Sequence, residues 1–146
     1  MRLRRCVLWI FFLAGFGGLW GCGGDPLGRQ PVTGTVTLNG APLEQGSISF
    51  QPTEGATTSS GAVIAQGAYS ISRENGLPPG KYRVVINAVK PGTGVELPEG
   101  GMPGDEVGVP PEELIPAEWN TESEHFVEVA ASGPNQFVHE IAVAAE

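Results

Sequence analysis

The sequence predicts an all-β domain of seven short strands, arranged as a two-sheet sandwich. Three observations carry that expectation. From Pro31 onward apolar residues recur with period two, and no window of helical length places them three and four apart. Gly, Pro and Asn punctuate the chain at short intervals, as they do where strands reverse. Finally, seven such strands with turn signals between them are the usual makings of two packed sheets.

The first strand starts after Pro31 and puts Val32, Gly34, Val36 and Leu38 on one face. It ends at Asn39-Gly40, a pair suited to a turn with positive φ. A second strand covers Ser47 to Gln51, with Ile48 and Phe50 inward, and Pro52 stops it. Thr53 to Ser60 is small and polar and reads as a loop. Gly61 to Ala65 and Ala68 to Ser72 flank Gln66-Gly67, a hairpin signal. The stiff corner Leu77-Pro78-Pro79-Gly80 precedes the longest strand, Lys81 to Val89, whose inward face is Tyr82, Val84, Ile86 and Ala88. Two last strands, Glu124 to Ala130 and Gln136 to Val143, surround Ser132-Gly133-Pro134-Asn135. Between them and the longest strand lies 91–111, rich in Gly, Pro and acids, which reads as a long acidic loop.

The N-terminal end has a different character. Arg2, Arg4 and Arg5 precede an apolar stretch from Cys6 to Leu19, too short for the roughly 20 residues that cross a bilayer. A basic start, a short apolar core and a small residue before a cut describe a secretory signal, so 1–21 is expected to be removed. The junction Leu19-Trp20-Gly21-Cys22 resembles the bacterial lipoprotein box. That resemblance implies a diacylglyceryl group on the Cys22 thiol, a membrane-lipid partner and residence in the cell envelope. Gly23 after the cysteine is similar to the pattern sorted to the outer membrane in Gram-negative bacteria. Several acyl chains on one cysteine hold a protein almost permanently, where a single chain does so only marginally. The tether 22–30 reaches about 30 Å at roughly 3.3 Å per residue, which keeps a 31–146 domain close to its membrane.

Composition excludes some functions. Without 1–21 the chain keeps five basic and all sixteen acidic residues, a net charge of −11. Phosphate backbones are repelled by such a surface, so a nucleic-acid partner is not expected. Cys22 is the one cysteine left, which rules out an internal disulfide.

The segments Pro31-Val-Thr-Gly-Thr-Val36, Asn39-Gly-Ala-Pro-Leu43, Ile48-Ser-Phe50, Gln66-Gly-Ala-Tyr69 and Leu77-Pro-Pro-Gly-Lys-Tyr82 resemble the carboxypeptidase regulatory-like, or transthyretin-like, β-sandwich. Leu114-Ile-Pro-Ala-Glu-Trp-Asn120 and Gly133-Pro-Asn-Gln-Phe137 are similar to the C-terminal part of small bacterial lipoproteins with that fold. The resemblance implies an architecture and leaves function open. It brings one enzyme to test, the hydroxyisourate hydrolase. That enzyme ends in Tyr-Arg-Gly-Ser and carries several active-site histidines, whereas this chain ends Ala144-Ala145-Glu146 and has only His125 and His139. A lysine on the first strand, needed for the isopeptide cross-link of some related modules, is also missing.

Few residues invite chemistry. If the last two strands pair with Val129 opposite Phe137, His125 and His139 share a face, about 7 Å apart. Zinc needs three or four ligands, so two packed histidines are the simpler reading and no metal or other cofactor is expected. The acids between residues 96 and 113 lack the spacing of a calcium loop. Tyr69, Tyr82 and Phe137 fall at strand-alternating positions and read as core, while Trp119 in a connecting segment is the candidate ligand contact. No nucleophile and base constellation is present, so no catalytic residue is assigned. The expected function is therefore a non-catalytic, membrane-anchored scaffold or interaction domain. Its alternative is a carbohydrate or small-ligand module using Trp119, with a hydrolase third.

Overall fold

The computed structural model describes residues 25–54, 57–96, 100, 102 and 107–143. Cys22 and the signal segment lie outside them. The strands are β1 (Val32–Leu38), β2 (Ala41–Pro42), β3 (Gln45–Pro52), β4 (Ser60–Ala65), β5 (Ala68–Ile71), β6 (Gly80–Asn87), β7 (Gly94–Glu96), β8 (Val107–Val109), β9 (Phe126–Val129) and β10 (Asn135–Ile141). Two single-turn 3-10 helices, η1 (Arg73–Asn75) and η2 (Ala117–Trp119), complete the elements.

One sheet runs β10-β1-β5-β4-β3-β6-β9, with β2 paired to β1 outside that path. Every junction is antiparallel except the parallel one between β1 and β10. The sheet curls through 257° into a half-barrel. This overturns the two-sheet sandwich, and with it the transthyretin-like assignment: the fold is all-β, but a single sheet folded on itself encloses the core. The physical reason is local. Gln66 and Gly67, at φ 51° and 75°, turn the chain so tightly that Ala65 still pairs with Ala68. Beyond that one rung β4 and β5 diverge, so the sheet bends there without parting. Inward alternation looks the same in either architecture, because each strand still has one wet and one dry face.

The strands themselves form where the sequence places them. Val32 and Val36 of β1, Ile48 and Phe50 of β3, Ile64 of β4 and Tyr69 and Ile71 of β5 are buried. Tyr82, Val84 and Ile86 of β6 are fully enclosed, and Val129 and Ile141 close the core from β9 and β10. Asn39 and Gly40, at φ 52° and 81°, make the predicted turn, which leads into β2. The Asn39 side chain also accepts a hydrogen bond from the Val143 backbone at 2.8 Å.

Gly34 shows why one inward position carries no side chain. A Cβ there would come within 2.2 Å of the Phe137 carbonyl oxygen and 2.5 Å of the Tyr69 hydroxyl. The bare backbone lets the Tyr69 ring lie across β1 and reach β10.

Two features were not foreseen. Within 91–111 the chain forms a two-stranded ribbon, with Gly94 opposite Val109 and Glu96 opposite Val107. The last two strands do not form a hairpin: β9 pairs with β6 and β10 with β1, at opposite ends of the sheet path. The turn between them therefore crosses the seam of the half-barrel. Asn135 ties it, accepting from Ala130 N at 2.8 Å and donating to Ala130 O at 3.2 Å.

Candidate functional site

The polar and aromatic residues singled out in the sequence meet at that seam. Trp119, at the end of η2, stacks on His125 with ring centroids 3.4 Å apart and planes 10° from parallel. Trp119 and His139 also meet in a T-shaped arrangement, with centroids 5.9 Å apart. His139 projects inward from β10, only 4% exposed, and its Nε2 lies 3.2 Å from the Tyr69 hydroxyl. Burial raises the Tyr69 pKa, while burial first and the neighbouring His125 second lower that of His139 to about 4. A neutral phenol and a neutral imidazole thus share one hydrogen bond, the arrangement a low-dielectric site favours.

The two histidines do come together, but through the curl of the sheet and not through a β9–β10 register. His125 precedes β9, and its carbonyl accepts from Val84 N at 2.8 Å. Beside it the buried Ser123 hydroxyl bonds to the Val84 carbonyl. Trp119, the candidate ligand contact, has one ring face covered by His125 and packs half-buried against the core. Among the described residues no group of three or more metal-ligating side chains occurs. The cluster binds the seam together through the Tyr69–His139 and Ser123–Val84 hydrogen bonds and the Trp119–His125 stack.

A second location is a groove of about 870 Å³ at the end of the sheet where β1 finishes. Leu38, Leu43, Ile64 and Leu114 contribute to its lining, with Val63 and Val89 on its margin, 71% and 51% exposed. The walls are fastened by backbone bonds: Leu43 N to Val36 O at 3.0 Å, Gly67 N to Leu43 O at 2.7 Å, and Gln66 N to Glu44 O at 2.8 Å. Opposite them stands the base of the β7–β8 ribbon, where Lys90 N donates to Glu112 O at 2.8 Å and Leu114 N to Ala88 O at 2.7 Å. A smaller cleft of about 340 Å³ adjoins the groove through Gln45 and Val89.

Charge is unevenly placed around this frame. The chain enters at the other end of β1, where Gln30 bridges to Leu77. Arg29, Arg73, Lys81 and Arg83 lie toward that end, on or beside Gln30, η1 and the first half of β6. Glu44 lines the groove, and Glu112 and Glu113 precede Leu114 in its wall. Lys90 is the basic residue there, and it pairs with Glu112 at 3.1 Å.

The groove escaped the sequence reading. Its one legible signal was Val63, an apolar residue on the outward face of a strand whose inward residues, Ala62 and Ile64, already satisfy the alternation. Comparison with family models, with curated proteins and with solved structures returns no match. The carboxypeptidase regulatory-like resemblance therefore has no support from a family model, and the single-sheet topology contradicts it.

Proposed function

We propose that this chain is an exported, non-catalytic interaction domain held at a membrane by lipid on Cys22. Its groove contacts a protein of the cell envelope. The observation that carries this reading is that the groove and the chain's point of entry lie at opposite ends of β1. At about 3.3 Å per residue the seven residues of β1 separate them by roughly 20 Å. A domain tethered through 22–30 would thus present its groove away from the bilayer, toward soluble or membrane-projecting partners. The Gly21-Cys22 junction and the preceding basic and apolar segments support the anchor.

The non-catalytic part of the reading is supported by how the reactive groups are used. Tyr69 and His139 hold one another, Ser123 holds β6, and His125 is stacked under Trp119. Each of these contacts fixes the seam and leaves the group committed to structure.

Two measurements test the proposal. Labelled fatty acid should enter the wild-type protein in its host and not Cys22→Ala; equal labelling refutes the anchor. A photo-crosslinking residue at Val63 should yield adducts with an envelope protein, while one at Arg73 yields adducts with lipid. The reverse pattern would overturn the orientation.

A further inference from the structure

The groove's chemistry narrows the partner. We infer that it docks a short apolar peptide segment flanked by lysine or arginine, presented by the envelope protein that the proposed function invokes. The inference rests on that reading for its biological setting, though the binding itself is independent of the anchor.

Apolar character comes from the lining. Half-buried Leu38 and Leu114 line the groove over the buried Leu43 and Ile64, and Val63 and Val89 leave large apolar surfaces open beside them. Isolated exposed valines are common, but here both border one concavity of a size that takes several side chains. Basic flanks follow from the rim. Glu44 lines the opening, and Glu112 and Glu113 precede Leu114 in its wall. Glu112 pairs with the groove's cation, Lys90, and Glu113 accepts from the Ala88 and Ile115 backbone, so the three carboxylates outnumber the one ammonium. Glu118, Glu122 and Glu124 are exposed on the segment that leads to His125, whose carbonyl accepts from Val84 N in β6. An acidic apolar partner would meet like charge on each approach, and a basic one is steered inward. The backbone bonds across Leu43, Glu44, Gln66 and Gly67 hold the walls in place, so little ordering is required on binding.

The test uses the full chain as purified from its host, in lipid nanodiscs, with fluorescence anisotropy of three labelled peptides. One has an alternating Val and Leu centre between lysines, one the same centre between glutamates, and one a Ser and Gly centre between lysines. The first should bind, and Val63→Asp and Glu44→Lys should each weaken it by about tenfold or more. Both residues are exposed, and circular dichroism checks that each variant keeps its fold. If Val63→Asp unfolds, Glu44→Lys and Val89→Asp decide the matter alone. Equal binding of the glutamate-flanked peptide overturns the charge argument. Binding of the Ser and Gly peptide as tightly as the first reduces the effect to general attraction by an acidic protein and overturns the groove. Displacement of the first peptide by a fluorescent fatty acid overturns the inference in favour of a lipid occupant. Loss of fatty-acid labelling at Cys22 with peptide binding intact would fell the anchor and leave the groove standing.

Discussion

Tyr82 acts through both ends of its side chain. The ring is fully buried in β6, and the hydroxyl donates to the Pro78 carbonyl at 2.8 Å, fastening the strand to the proline corner before it. Truncation to alanine leaves a ring-sized cavity and is expected to cost about 3 to 5 kcal/mol, a large share of a typical domain's 5 to 15 kcal/mol. Tyr82→Phe should cost about 1 kcal/mol, the hydrogen bond alone. Arg83 points the other way and bonds to Gln51, so Arg83→Ala should cost about 1 kcal/mol or less. Chemical denaturation of the three variants gives the order, and equal losses at 82 and 83 would reverse the inward assignment. His139 makes the second residue-scale prediction. Its folded pKa, near 4, lies below the ordinary value of 6.5, so the unfolded chain binds the extra proton between those limits. The stabilisation is complete above about pH 6.5 and falls as the pH drops toward 4, by up to about 3 kcal/mol. His139→Gln should flatten that window in denaturation curves measured from pH 7 to pH 4. A slope unchanged by the substitution would show that other groups produce it.

At the scale of elements, most strands were legible, but of the pairings between them only the β4–β5 hairpin was. Alternation located β1, β3, β4, β5 and β6 because each has one face in the core. Turn residues located the Asn39-Gly40 and Gln66-Gly67 reversals because few other residues accept positive φ. Apart from the Gln66-Gly67 hairpin, which makes β4 and β5 neighbours, neither signal states which strands pair. Residues 124–130 and 136–143 read as a hairpin because they are adjacent in sequence, yet β10 lies parallel to β1, a long-range choice fixed by Ile141 reaching the core beside Leu38. The β7–β8 ribbon escaped for a different reason: among the described residues it pairs only with itself, so composition dominated its reading. That same property yields a prediction. Among the described residues the ribbon pairs only with itself, and its base is closed by Lys90 and Glu112. Replacing 94–109 with a short Gly-Ser link should change stability by no more than about 1 kcal/mol, since closure entropy grows slowly with loop length. Thermal melting checks it, and a large loss would mean that the ribbon braces the groove wall.

At the scale of the whole molecule, a sheet that curls without closing must manage two edges. β9 and β10 each pair on one side only in the described structure, and unpaired edges invite association. In this chain the η2 turn packs across the seam. Trp119 stacks on His125, next to β9, and meets His139, on β10, in a T-shaped arrangement, so a single indole spans both margins. At one end of the seam Asn135 adds its two hydrogen bonds to Ala130. Trp119 was singled out in the sequence for a ligand because its segment has no strand pattern, but a curled sheet gives such a segment a structural place that an alternation argument does not contain. If the indole holds the seam, Trp119→Ala should cost about 2 kcal/mol, less than a fully buried Trp because the ring is half exposed. More specifically, amide exchange should accelerate in β9 and β10 together, while the β3–β4 rungs remain protected, because opening begins at the margins and not in the middle of the sheet. Trp119→Phe should restore part of the protection, since a smaller ring still stacks on His125. Uniform acceleration through all strands would show that Trp119 supports the core as a whole, and acceleration in β9 alone would remove His139 and β10 from its reach.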